Sequence, residues 1–170
     1  VIANPSFTVN TSSWSSGGTG VSFTRDTGLF DSSPAAAKLT STQKRTLCYA
    51  TTTITGLFQA GLTYIVSFRV HSTSDGAYAS FGTTKTPLES YGSWEDGSVF
   101  WTPTSNTTNA AFTISGTEWN FGIQNVYFDT LSLSVSAATL ADRRGFRRAK
   151  DLRVNSPLDT SGVIGRQLAD

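Results

Sequence analysis

The chain carries one histidine, His71, one cysteine, Cys48, and no methionine. A serine or cysteine nucleophile needs a histidine to take its proton and a third group to orient that histidine, and no such arrangement is signalled here. No Gly-x-Ser-x-Gly turn stands between a strand and a helix, and zinc-ligand spacing is absent. Gly17-Gly18-Thr19-Gly20 sits between strand-like runs and reads as a turn, not as a phosphate-cradling loop. What remains within reach is carboxylate chemistry: hydrolysis of a glycosidic bond needs two carboxyl groups facing each other across a sugar, one of them held protonated. Glu89, Glu95, Asp96 and Glu118 are available, but all fall in polar, turn-like stretches where a solvated carboxylate is the default. The residues therefore point away from an enzyme. Cys48, between Leu47 and Tyr49, reads as a small, half-buried strand residue.

The elements that must position any site are strands. Charged residues make up only 15% of the chain, and Ser, Thr and Gly crowd its first 136 residues, which suits short strands joined by polar turns. Val1 to Val9 reads as the start of a strand interrupted by Asn4-Pro5, and residues 15 to 20 as a turn. Val21, Phe23 and Arg25 alternate with Ser22, Thr24 and Asp26. Further strands are predicted over 36–40, 45–53, 63–71, 76–82, 99–101, 110–114 and 125–135. The clearest is 63–71, where Tyr64, Val66, Phe68 and Val70 share one face and Ser67, Arg69 and His71 the other. In 76–82, Ala77, Ala79 and Phe81 oppose Tyr78 and Ser80. Eight to ten short antiparallel strands without a sustained helical period predict an all-β protein, an antiparallel β-sandwich of the jelly-roll type, over residues 1–136.

After Ser136 the character changes. Residues 1–136 hold six basic and eight acidic side chains, a net of −2, whereas 137–170 hold seven and four, a net of +3. A nucleic-acid surface would put a basic stripe on the folded domain, so the balance excludes that partner. The run Arg143 to Arg153 reads as a solvated linker, since acidic residues interrupt it and no aromatics interleave. Leu152 and Val154 look like a strand, and Asp159 caps a helix expected from Thr160, with Val163, Ile164 and Leu168 on one face. Residues 137–170 are thus expected to be a basic linker and the beginning of a following domain, and the chain, starting at Val1 without any methionine, a piece of a longer protein. No window is long and apolar enough for a membrane span.

Several separated pieces resemble the carbohydrate-binding modules of families four, nine and twenty-two. These are Asn4-Pro5-Ser6-Phe7 followed by Trp14; Tyr64-Ile65-Val66-Ser67-Phe68-Arg69-Val70; Trp94 with Trp101-Thr102-Pro103; and Val126-Tyr127-Phe128-Asp129-Thr130-Leu131-Ser132-Leu133. The resemblance covers residues 1–136 and implies a non-catalytic jelly roll that binds a cell-wall or surface polysaccharide. It also implies a structural calcium. Thr8 and Thr130 stand where the family often has carboxylates, which leaves Asp129 open to two readings, a calcium ligand with backbone carbonyls of residues 2–6 or a plain turn-capping carboxylate.

Sugar binding needs aromatic faces to stack on pyranose rings and a few polar groups for the hydroxyls. With Phe68, Phe81, Phe112 and Phe128 assigned to the core, and Trp14 and Trp101 matching positions that pack inside in the family, Tyr78, Tyr91, Phe100 and Trp119 remain. Trp119 and Tyr78 are the leading stacking candidates; Trp119 reads equally as a cover for the end of the sandwich. Tyr91 is a further carbohydrate-binding candidate, and Arg69, His71 and Gln124 supply hydrogen bonds if theirs is the concave face. The residues after 136 resemble, more loosely, the junctions of minor tail proteins of bacteriophages. That implies a virion tail adhesin touching host-wall glycans, with other tail proteins as partners in a homo-oligomeric assembly. A secreted hydrolase's appended module and a structural spacer or decoration domain are the alternatives.

Overall fold

The computed structural model describes residues 1–31, 34–42, 48–73, 76–88, 92–116 and 124–136. Ten strands follow one another in the β-sandwich that spans Val1–Val135: β1 (Ser15–Gly17), β2 (Val21–Asp26), β3 (Ala36–Ser41), β4 (Cys48–Phe58), β5 (Tyr64–Ser72), β6 (Ala77–Phe81), β7 (Thr84–Leu88), β8 (Glu95–Trp101), β9 (Thr107–Gly116) and β10 (Gln124–Val135). They form two five-stranded antiparallel sheets, β1-β4-β9-β6-β7 and β2-β3-β10-β5-β8, the layered jelly-roll arrangement that the alternating pattern predicts. We call these the first and the second sheet. The expected strand and helix after 136 lie outside the described residues.

Alternation explains why these segments pair as they do. In β5 every second residue from Tyr64 to Ser72 is buried, and Val66, Phe68 and Val70 share the inner face of their sheet with neighbouring Val99 and Phe128. The inner faces of the two sheets meet in one apolar cluster. At one end Phe7, Trp14, Phe23 and Phe128 pack ring against ring, with centroids 5.2 to 6.5 Å apart. At the other end Phe58, Phe81 and Trp101 form a second group at 5.2 to 5.9 Å. Gly82, at φ +57°, turns the chain from β6 to β7 directly beneath the Trp101 indole, where an added Cβ would lie 2.3 Å from the ring.

Local expectations are corrected at several points, among them residues 15–17, expected in a turn and found as β1. The opening segment is no strand: Asn4, Phe7 and Ser13 have φ of 50°, 50° and 69°, left-handed values a pleated strand excludes. It is instead pinned by buried Phe7 and by the Arg25 guanidinium, whose Nε donates to Phe7 O at 2.9 Å and Nη2 to Thr8 O at 2.8 Å. Residues 84–88 form β7 despite Pro87, because β7 is an edge strand where a missing N–H costs no ladder bond. Glu95 and Asp96 lie in β8 and not in a turn. Cys48 is fully buried, and burial pushes its thiol up, so it is an inert core residue.

Candidate carbohydrate-binding face

Residues directly opposite in antiparallel strands share a face, so the register reads out the surface. On the first sheet Gly17 pairs with Tyr49, Tyr49 with Ser115, Ser115 with Tyr78 and Tyr78 with Pro87. This is one row across all five strands. Cys48, Ala50 and Ile54 of β4 and Ala77, Ala79 and Phe81 of β6 are buried, so the row points away from the core. The neighbouring row runs Ser15, Thr51, Thr113, Ser80 and Lys85.

Two tyrosines thus stand on the outer face, two strands apart, which puts their origins about 10 Å from each other with a serine between them. Both are half-buried. Tyr49 leans across β1: a Cβ on Gly17 would be 2.4 Å from its Oη and 2.5 Å from Cζ, so the end of the ring occupies the space that any other residue at 17 would fill. An aromatic ring on an outer face stacks on the C–H face of a pyranose when its π face meets the sugar. Lys85 covers Tyr78, with Nζ 3.8 Å from the ring centroid. Around them are hydroxyls. Thr51 Oγ1 lies 3.1 Å from Phe112 O, to which it donates, and 2.8 Å from Thr113 Oγ1, so these two side chains are held in place.

The outer face of the second sheet is different in kind. Arg69 binds Asp31 through Nη2 at 3.0 Å and Asp96 through Nη1 at 2.9 Å, and it donates to Trp94 O at 3.2 Å. Hydrogen bonds to Asp31 and then Asp96 push the guanidinium further up, so its charge is permanent. His71 lies between Trp94 and Tyr127, with centroids at 5.8 and 5.6 Å. Lys38 sits 5.2 Å from the Tyr127 centroid and 3.4 Å from Asp26; its ammonium is raised first by Tyr127 and then by Asp26. Hollows of about 350 and 460 Å³ flank β8, both against Asp96, Gly97 and Ser98, and among the described residues neither is lined by an exposed aromatic ring.

The structure therefore separates residues that the sequence grouped. Tyr78 is on the outer face of the first sheet, while Arg69 and His71 are on that of the second, so they cannot serve one ligand. Trp119 and Tyr91 lie outside the described residues, as do Glu89, Glu118 and the Gln124 side chain. Phe100 is half-exposed on β8, and Trp94 packs beside His71. Tyr49 was missed by sequence reasoning; its signal was the alternation with small buried Cys48 and Ala50.

Asp129 is buried in β10 and its Oδ1 accepts the Thr130 amide at 2.7 Å. Thr130, at φ 54°, forms the bulge that shifts the register between Asp129 and Ser132, and the Leu131 amide then donates to Pro5 O at 2.9 Å. No group of three or more acidic, histidine or cysteine side chains gathers among the described residues. Through Oδ1 the carboxylate has the turn-capping geometry; a calcium ion there would need six to eight oxygens, most of them from the backbone.

No family model matches the chain, and no curated protein matches its sequence. Solved structures do match in fold. Tailspike protein 4 of bacteriophage CBA120, its enzymatically active domain, superposes with a TM-score of 0.66 at 12% identity over 79% of this chain and 21% of that one. The chain thus spans about a fifth of the tailspike. A family 4 carbohydrate-binding module matches with a TM-score of 0.57 at 10% identity, over 73% of this chain and 95% of that one. TmCBM61, solved in complex with β-1,4-galactotriose, matches at 0.54 and 16% identity, over 79% and 97%. These likenesses establish the jelly-roll fold.

Proposed function

We propose that this chain is a non-catalytic carbohydrate-binding module whose glycan lies across the outer face of the first sheet, stacked on Tyr49 and Tyr78. The observation that carries the reading is the single row Gly17, Tyr49, Ser115, Tyr78 and Pro87. Two aromatic side chains rooted about 10 Å apart in one row can meet separate sugar units of one chain. The hydroxyls of Thr51, Thr113 and Ser80 lie beside that path to bond sugar hydroxyls. The second sheet is the poorer candidate, because its charged side chains already satisfy one another.

The fold shared with carbohydrate-binding modules supports this reading. The likeness to a phage tailspike and the basic segment after 136 support a finer one, in which the module is a virion tail adhesin contacting host cell-wall glycans. A secreted module appended to a hydrolase would use the same face. The test is a polysaccharide and cell-wall array probed with the full chain and with Tyr49→Ala and Tyr78→Ala. Saturable binding by the wild type that each variant loses by tenfold or more supports the site. Wild-type levels of binding by both variants overturn it, and absence of any binding shifts the assignment to a structural decoration domain.

A further inference from the structure

The charges of the described residues are sorted by sheet. All five described carboxylates belong to the second sheet or its loops: Asp26 in β2, Asp31 in the turn after it, Glu95 and Asp96 in β8, and Asp129 in β10. Three of the four described lysines and arginines are there too, each engaged: Arg25 with backbone carbonyls, Lys38 with Asp26, and Arg69 with Asp31 and Asp96. The fourth is Lys85. It stands on the outer face of the first sheet, in the row next to the tyrosines, and no described carboxylate shares that face.

We propose that the glycan bound on this face is acidic, and that Lys85 pairs with a carboxylate or phosphate on the sugar stacked over Tyr78. The inference rests on the binding face described above and adds the ligand's charge. Its physical basis is the position of the ammonium, 3.8 Å from the Tyr78 ring centroid, in the space a sugar ring would take. A neutral sugar displaces Lys85 and forfeits its attraction to the ring, with nothing charged in return. An acidic sugar replaces that attraction with a charge-assisted hydrogen bond, which is the stronger of the two. No described carboxylate on this face would repel an anion.

The test uses the full chain and matched polymers: polygalacturonate, alginate and a phosphomannan, each beside its carboxyl-reduced or dephosphorylated form. Whichever polymer the wild type binds and Tyr78→Ala does not is titrated in both forms. The expected result is that the acidic form binds about tenfold tighter, the size of one charge-assisted hydrogen bond open to solvent. Lys85→Gln is expected to abolish that preference, Lys85→Arg to keep it, and 0.5 M salt to narrow it. Arg147→Gln removes one charge from the basic tail and is expected to leave the preference intact. Equal binding of the two forms, or equal losses in Lys85→Gln and Arg147→Gln, overturns the proposal while leaving the binding face in place. Binding that Tyr78→Ala retains overturns the face itself, and this proposal with it.

Discussion

Replacing Gly17 with alanine should weaken glycan binding about five- to tenfold while leaving the fold as stable as before. The new methyl would lie 2.4 Å from Tyr49 Oη, 2.5 Å from Cζ and 2.9 Å from Cε1. Non-bonded carbon contacts settle near 3.5 Å, so the ring has to move by about 1 Å and tip off the sheet. The atoms in the way are the far end of a rotatable side chain, and Gly17 is not among the residues at positive φ, so backbone strain does not enter. Glycine to alanine in a strand gains a few tenths of a kcal/mol by restricting the unfolded chain. A pyranose covering about 40–50 Å² of ring contributes about 1–1.3 kcal/mol at 25 cal/mol per Å². Losing that contact corresponds to the stated five- to tenfold change in Kd. Isothermal titration with the polysaccharide that the wild type retains, paired with a thermal melt, reads both quantities. Affinity within twofold of wild type would refute the Tyr49 ring as a platform. A fall in Tm above about 5 °C, some 1–2 kcal/mol in a domain of this size, would refute the view that the ring yields cheaply.

Other consequences are open to measurement. Gly82→Ala should cost about 2–5 kcal/mol, combining left-handed strain with the 2.3 Å clash against Trp101, whereas Gly92→Ala, at φ 74° with nothing within 4 Å, should cost only about 1–2 kcal/mol; equal losses in urea melts would remove the packing argument. Arg25→Ala should destabilise by about 1–2 kcal/mol, because the Phe7 and Thr8 carbonyls lose a charged donor; unchanged stability would show that Phe7 alone pins the opening segment. Burial raises the Asp26 carboxyl, but bonds from the Gly28 and Leu29 amides and from Lys38 outweigh it and hold the group below its usual value. Its stabilisation is therefore present above the unfolded pKa and lost as pH falls through the lowered one, so Asp26→Asn should flatten the acid limb of stability by less than about 1 kcal/mol. If the wild-type and variant pH profiles run parallel, that assignment is wrong. Melting temperatures in calcium and in chelator should agree within about 1 °C, since Asp129 caps a bulge; a rise of several degrees in calcium would place a cation there.

Alternation along each strand determined the sandwich. Tyr64 to Ser72 and Ala77 to Phe81 carry enough period-two contrast to specify which residues turn inward, and the last strand was read to within one residue of its start. The same logic put Tyr78, Arg69 and His71 correctly on outward faces. It could not say which sheet each strand joins, because sheet membership is set by pairings between segments far apart in the chain: β9 links β4 to β6, and β10 links β3 to β5. Outward on one sheet and outward on the other look identical in sequence, so Tyr78 was grouped with residues on the opposite surface. Tyr49 was hidden for a related reason. At the start of β4 the inward residues, Cys48, Ala50 and Thr52, are small and the outward Tyr49 is a large aromatic, so size does not mark the inner face there; Ile54 and Phe58, packed in the core, do. Two distant facts complete the candidate site. A glycine in β1 makes room for a ring from β4, and a lysine from β7 covers a ring from β6. Composition and periodicity determined the material of the fold and its faces, whereas only the pairing of remote strands decided which side chains share a surface.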